Sequence, residues 1–306
     1  MKIVSGSANQ VIAEKIAVAL SLPLSPVDEF IFPDGERRIR IIESVVGEDT
    51  ILVQSASTPV DEHYMEMFFL IDGLRRSGAK RVTVVIPYFG YQRQDHIFRD
   101  GEAVSLEVII SILTSLKVDH VVSVDMHTSR IPDLFPATIP VSHVSALPVF
   151  AKKISDIGWN DEKTVLVSPD MGGIRRIKML SELLGGMSWV ATEKNRDLET
   201  GALKENKLGE GSIEGKTRAI IVDDMISSGG TIANAVRLLE ELGIKESITF
   251  ATHPVFSKEA PKILQQCATG RVYVADTVTI PKEKQFEKLE VLSVSEAIAR
   301  AISETL

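Results

Sequence analysis

The chain has 306 residues, 44% hydrophobic and 25% charged, with a formal net charge of −8. That length suits about two domains, each large enough for its own core, and the acidic balance excludes a broad nucleic-acid surface, which needs a basic face. A single cysteine, Cys267, excludes an intrachain disulfide and a thiolate zinc site, and sets the expectation of a reducing cytosol.

Met1 to Ser5 reads as a strand and Asn9 to Leu20 as an amphipathic helix with Glu14 and Lys15 outward. Those two charges interrupt the apolar stretch, so the expected segment is neither a signal peptide nor a membrane span. Asp28 to Ile42 holds Pro33-Asp34-Gly35 between two alternating segments, the signal of a hairpin or tight turn. Thr50 to Gln54 is a predicted strand, Ser55 to Pro59 a loop, Glu62 to Ser77 a helix closed by Gly78, and Arg81 to Ile86 a further strand. Gly78-Ala-Lys80, a strand and Pro87-Tyr-Phe89 return later as Gly243-Ile-Lys245, a strand and Pro254-Val-Phe256. The recurrence predicts two copies of one α/β unit.

Arg93-Gln94-Asp95 follows a strand end, where α/β proteins gather ligand groups, although a solvated polar loop accounts for it equally. Val118 to Val124 is an apolar strand ending in Asp125-Met-His127, and alternation predicts Asp125 and His127 on one face. His63, His120, His143 and His253 are read as satisfied structural residues. The Ser/Pro/His stretch Pro140 to Pro148 marks a boundary, giving domains 1–145 and 146–306. Thr164 to Val167 is a strand leading through Ser168-Pro-Asp-Met-Gly-Gly173 into a helix, Ile174 to Leu184, so Asp170 is either a cap or a ligand group. Trp189 to Ala191 is a strand running into the polar Thr192 to Gly201, expected to be a mobile surface loop. Ser293 to Glu304 is an amphipathic helix expected to pack back on the body.

Between these lies Arg218 to Thr231: an apolar strand from Ala219 to Val222, turn residues, then a helix from Ile232 to Leu242. Small residues from Ser227 to Gly230 let N–H groups point inward, with Thr231 as the expected cap, which makes an anion nest most natural for a phosphate. Asp223 and Asp224 repel a phosphate but accept hydrogen bonds from sugar hydroxyls and can hold Mg²⁺, so the pattern suggests a phosphorylated sugar. No lysine follows the glycines, which excludes the nucleoside triphosphatase loop, and the dinucleotide glycine pattern is absent as well.

Val222 to Thr231 resembles the ribose-5-phosphate loop of type I phosphoribosyltransferases and, in its Asp-Asp-Met-Ile form, that of the ribose-phosphate diphosphokinases, or PRPP synthetases. Four further segments are similar to motifs of the latter family: Phe32-x-Asp34-Gly35-Glu36, Tyr88 to Asp95, Ser168 to Gly173, and Lys194-x-Arg196. Asp125-Met-His127 to Phe135 is similar too, and looks closer to archaeal than to bacterial members. His96 stands where bacterial members often carry a basic residue.

The resemblance implies an α/β fold of two tandem type I phosphoribosyltransferase-like domains, each a mainly parallel sheet flanked by helices. The first (1–145) would carry the ATP motifs and the hairpin 28–42. The second (146–306) would carry the ribose-5-phosphate loop 223–231 and a flexible catalytic loop 192–201, its last helix free to pack on the first domain. It further implies a cytoplasmic, Mg²⁺-dependent enzyme making 5-phosphoribosyl 1-diphosphate and AMP from ribose 5-phosphate and ATP. Lys194 and Arg196 would be catalytic. ATP would be held by Phe32, Asp34, Gly35, Glu36, Arg93, Gln94 and Asp95, with the hairpin reaching the site of a neighbouring subunit in a homo-oligomer, at least a dimer. Ribose 5-phosphate would be held by Arg196, Asp223, Asp224, Ser227, Ser228, Gly229, Gly230 and Thr231, and the metal by His127 and Asp170. A base-using phosphoribosyltransferase and a non-catalytic regulatory relative on the same fold stay open as alternatives.

Overall fold

The computed structural model describes residues 1–128, 130–196 and 203–305, and for residues 194–196 and 203–206 the backbone alone. The chain divides into two compact units: residues 1–145 with 277–279 and 293 onward, and residues 146–276 with 280–292.

The first unit runs β1 (Lys2–Ser5), α1 (Gln10–Leu20), β2 (Leu24–Ser25), β3 (Val27–Ile31), β4 (Arg37–Ile41), β5 (Asp49–Val53), α2 (Val60–Arg76), β6 (Arg81–Ile86), α3 (Ser105–Ser115), β7 (His120–Val124), α4 (Ile131–Leu134) and β8 (Val141–Val144). Its parallel sheet has the order β2-β1-β5-β6-β7-β8. The central strands are buried almost throughout, as a parallel sheet covered on both faces requires. Met67, Leu70, Ile71 and Leu74 of α2 and Leu106, Ile109 and Leu113 of α3 recur at helical spacing and pack with Val82, Val84 and Ile86 in one core. Asn9 caps α1 by accepting from Ile12 N at 3.3 Å. The predicted hairpin is a separate antiparallel ribbon, β3 on β4, from Val27 opposite Ile41 to Ile31 opposite Arg37.

The second unit runs α5 (Leu147–Asp156), β9 (Thr164–Ser168), α6 (Ile174–Leu183), β10 (Trp189–Arg196), β11 (Leu203–Gly211), β12 (Arg218–Ile226), α7 (Gly230–Glu241), β13 (Glu246–Pro254), α8 (Ala260–Gln266), β14 (Thr269–Ala275) and β15 (Leu289–Leu292). The sheet order is β11-β10-β9-β12-β13-β14-β15. From β10 to β15 it repeats the order of the first unit, and β11 is an antiparallel addition. The chain then returns to the first unit, where α9 (Ser295–Ser303) packs on α1 and β7. Ile298, Ala299 and Ile302 form its buried stripe.

Several elements differ from their sequence readings. β10 continues through Arg196 and pairs with β11 from Val190–Gly211 to Arg196–Leu203, so residues 192–196 are strand and not loop. Their polar composition hid this, because backbone pairing within a hairpin needs no apolar side chains. Residues 197–202 of that loop lie outside the described residues. β12 likewise runs past its apolar run to Ile226, carried by its pairing with β13 up to Ile226–Pro254, and so includes Asp223 and Asp224. Pro140 to Pro148 contains β8, the edge strand of the first sheet. β7 stops at Val124 and Asp125 adopts a left-handed φ of 33°, so alternation no longer governs Asp125 and His127. The Asp125 carboxylate lies 3.6 Å from His143 Nε2.

Candidate active site

In the second unit described loops leave the carboxyl ends of β9 and β12, where an open parallel sheet presents its ligand groups. The chain turns after β12 through Ser227-Ser228-Gly229 into α7. Gly229 caps that helix with φ 81°, a conformation that favours glycine, and α7 begins at Gly230. Thr231 therefore lies in the first turn and not at the cap. Ser227 is pinned to the next loop: its Oγ is 3.1 Å from Ser257 Oγ, and its carbonyl accepts from Ser257 N at 2.9 Å. The turn delivers the positive end of a 12-residue helix beside two carboxylates.

Those carboxylates are tied to their own strand. Asp223 Oδ1 accepts from Asp224 N, and Asp224 Oδ1 from Met225 N, both at 2.9 Å. Burial, then the neighbouring Asp224 charge, pushes the Asp223 carboxyl well above the usual carboxylate range; Asp170 adds to this and Arg176 opposes it. Arg176 on α6 sends Nη1 to within 3.6 Å of Asp223 Oδ1 and Nη2 to within 3.6 Å of Asp224 Oδ2. Asp170, after β9, accepts from Gly173 N at 3.2 Å, and its carbonyl accepts from Ser168 Oγ at 2.7 Å. It is thus a helix cap and a charge near the acid pair at once. Lys194 and Arg196 lie on β10 opposite Asn206 and Leu203. Their side chains lie outside the described residues.

In the first unit Arg93, Gln94 and Asp95 follow β6 as a turn held by Gln94 N donating to Tyr91 O at 3.0 Å. Arg93 is exposed. Asp95 Oδ1 meets His96 Nδ1 at 2.7 Å, and its carbonyl accepts from Arg130 at 3.0 Å. Burial works to raise the Asp95 carboxyl, but hydrogen bonds from His96 and Thr128 outweigh it and hold the group below its ordinary value. The segment after β7 is brought to the same place: His127 N donates to Gln92 Oε1 at 2.8 Å. Ser129 lies outside the described residues. Phe32, Asp34, Gly35 and Glu36 form the tip of the β3–β4 ribbon, closed by Phe32 N to Glu36 O at 2.8 Å, and are exposed.

Among the described residues the corresponding strand end of the first unit is built differently. Gln54, at the end of β5, turns inward to accept from Ala8 N at 3.1 Å and to donate to Glu66 Oε2 at 2.7 Å. Even a Cβ on Gly6 would stand 2.4 Å from its amide. At this strand end a side chain fills the space beside Gly6.

Residues 1–116 match the N-terminal domain of ribose phosphate pyrophosphokinase and residues 147–264 the phosphoribosyl transferase domain. The chain is 37% identical to the ribose-phosphate pyrophosphokinase of Fusobacterium nucleatum, over 99% of this chain and 94% of that one. It belongs to the ribose-phosphate pyrophosphokinase family. The enzyme of Gloeobacter violaceus is 36% identical over 99% and 89% of the two chains. The crystal structure of phosphoribosylpyrophosphate synthetase from Mycobacterium smegmatis superposes with a TM-score of 0.90 at 35% identity, covering 100% and 99%. These pyrophosphokinases are bacterial, so the archaeal-like reading of Asp125 to Phe135 gains no support from them.

Two residues of this pyrophosphokinase escaped the sequence reading. Gln92 occupies a variable position of its motif, and Arg176 looks like any helix arginine. Replacing Gln92 by Leu keeps the volume but takes this acceptor from the part-buried His127 N–H, at a cost of about 0.5–1.5 kcal/mol. The melting temperature should fall and the KM for ATP rise. Parent values of both would deny Gln92 its part in holding the two ATP-side segments together.

Proposed function

We propose that this enzyme transfers the β,γ-diphosphoryl group of ATP to the 1-hydroxyl of ribose 5-phosphate, giving 5-phosphoribosyl 1-diphosphate and AMP. The observation that carries the reading is the juxtaposition of the Ser227–Thr231 turn and the Asp223–Asp224 pair at one strand end, a phosphate grip beside a diol grip. The turn would hold the 5-phosphate and the acids the ribose hydroxyls, with charge-assisted hydrogen bonds worth about 1.5–3 kcal/mol each. Arg93, Gln94 and Asp95 would hold ATP. The anomeric oxygen attacks the β-phosphorus, the bond from that phosphorus to the oxygen bridging to the α-phosphorus breaks, AMP leaves with the bridging oxygen, and the hydroxyl proton passes to solvent. Lys194 and Arg196 would neutralise the charge that builds on the transferred group.

Mg²⁺ fits the oxygen chemistry of the second unit, where Asp170 stands near two buried, mutually repelling carboxylates. Among the described residues no group of three or more His, Cys, Asp or Glu side chains forms a cage. That suits a cation taken up by one or two protein groups together with substrate phosphates. We assign Asp170 to cation binding in the second unit and His127, as a nitrogen donor, to cation binding in the first. When bound, the ion would neutralise phosphate charge and orient the diphosphate.

No helix among the described residues is long and apolar enough to cross a membrane, and with its lone cysteine the enzyme is assigned to the cytoplasm. Phe30, Ile31 and Phe32 on the ribbon are 46%, 55% and 40% exposed, a costly display for a monomer. They support a homo-oligomer in which the ribbon tip completes the ATP site of a second copy. Sedimentation equilibrium is expected to give a multiple of 33.5 kDa, and a monomer at assay concentration would sink this part.

The decisive assay incubates the protein with ATP, ribose 5-phosphate and Mg²⁺ and follows AMP. AMP formation dependent on the sugar phosphate is expected. A base-using phosphoribosyltransferase or a silent regulatory relative would form none.

A further inference from the structure

The acid pair is an electrostatic problem that the strand cannot solve by itself. Two adjacent residues of β12 carry carboxylates into a largely buried position, and Asp170 adds a third negative group nearby. Burial and mutual repulsion favour a proton on the pair, and Arg176 opposes that tendency. The compensating cation is Arg176, in the first turn of α6, its side chain 19% exposed. The guanidinium addresses both acids at once, one nitrogen to each, and both separations are 3.6 Å.

That separation carries meaning. It is close enough for a strong charge interaction between the guanidinium and both acids. The backbone anchors the pair as well: Asp224 N donates to Asp223 Oδ1, the oxygen that also faces Arg176, and Met225 N donates to Asp224 Oδ1, while Arg176 faces Asp224 Oδ2. The turn before α6 is shaped to let the arginine in. A Cβ at Gly173 would stand 2.3 Å from Ser168 Oγ, displacing the hydroxyl that holds the Asp170 carbonyl, and 3.6 Å from Arg176 Nη1.

We infer that Arg176 is a positioning residue for ribose 5-phosphate, one whose guanidinium fork holds Asp223 and Asp224 aimed for the sugar diol. The inference rests on the proposed sugar-binding role of the acid pair. A lysine can supply the charge but not two nitrogens in a fixed fork, so charge and fork are separable.

The test measures ribose 5-phosphate binding by calorimetry, and steady-state kinetics, on the full-length enzyme carrying Arg176→Lys or Arg176→Met. For Arg176→Met the KM for ribose 5-phosphate should rise about tenfold or more while kcat and the KM for ATP stay within about threefold; Arg176→Lys should fall between it and the parent. If the methionine variant does not fold, the lysine variant decides, and parent-like sugar affinity in it overturns the inference. So does a kcat loss at unchanged sugar affinity in either variant, which would put the guanidinium on the transferred group itself. Asp223→Asn separates the two layers. Should it leave sugar affinity intact, the reading of the acid pair has failed; should it weaken binding while Arg176→Met does not, only the role of Arg176 falls.

Discussion

Lys194→Ala is expected to lower kcat by about 10²–10³-fold or more while leaving the affinity for ATP and ribose 5-phosphate within a few-fold of the parent. The reason is the timing of charge. Diphosphoryl transfer asks a protein for position and neutralisation, and the demand peaks as the bridging oxygen takes negative charge in the transition state. A cation that meets that charge binds the transition state more tightly than the ground state, so its removal appears in kcat and not in KM. Arg196 should behave alike but add a KM effect for the sugar phosphate, if it also touches the 5-phosphate. Rapid-quench measurement of AMP formation, beside equilibrium binding of a non-hydrolysable ATP analogue, separates chemistry from binding. Near-parent turnover in Lys194→Ala would remove that residue from the mechanism.

Asp223→Asn should act in two opposite directions. Function should suffer: on the proposed role, replacing a carboxyl acceptor of the diol by an amide weakens its hydrogen bonds to the sugar, and the KM for ribose 5-phosphate should rise about 10²-fold. Stability should improve. The Asp223 carboxyl is raised above its unfolded value by burial and by Asp224, so the folded state is favoured when the group is protonated and loses that advantage as pH rises through the raised value. An asparagine cannot ionise, and its Oδ1 can still accept from Asp224 N. The unliganded variant should therefore melt higher than the parent at neutral pH, and the gap should close toward pH 4 and below. A variant that melts lower at neutral pH, with unchanged sugar affinity, would contradict both halves.

Much of this was legible because local patterns and the global fold agree. The 218–242 stretch announced strand, turn and helix, and the paired Gly-x-Lys and Pro-x-Phe punctuation announced a repeat whose sheet order the second unit reproduces. What was illegible depended on partners distant in sequence. Residues 192–196 are strand because β11 pairs with them, and no polar pentapeptide advertises that. Gln92 and Arg176 acquire meaning from His127 and the acid pair, 35 and about 50 positions away. β8 was hidden inside a stretch whose prolines and serines resemble a linker, since an edge strand needs little apolar sequence.

The return of α9 to α1 fixes an order on synthesis. A ribosome releases residues 1–145 long before residues 295–303, so the nascent first unit must wait, with the α1 face that α9 covers exposed, while the whole second unit emerges. The later-made half can collapse first on its own contiguous core, and the earlier-made half closes last. Premature termination anywhere in the final stretch would then harm the amino-terminal unit more than the one it interrupts. Holdase chaperones should find their longest-lived target on that waiting helix face.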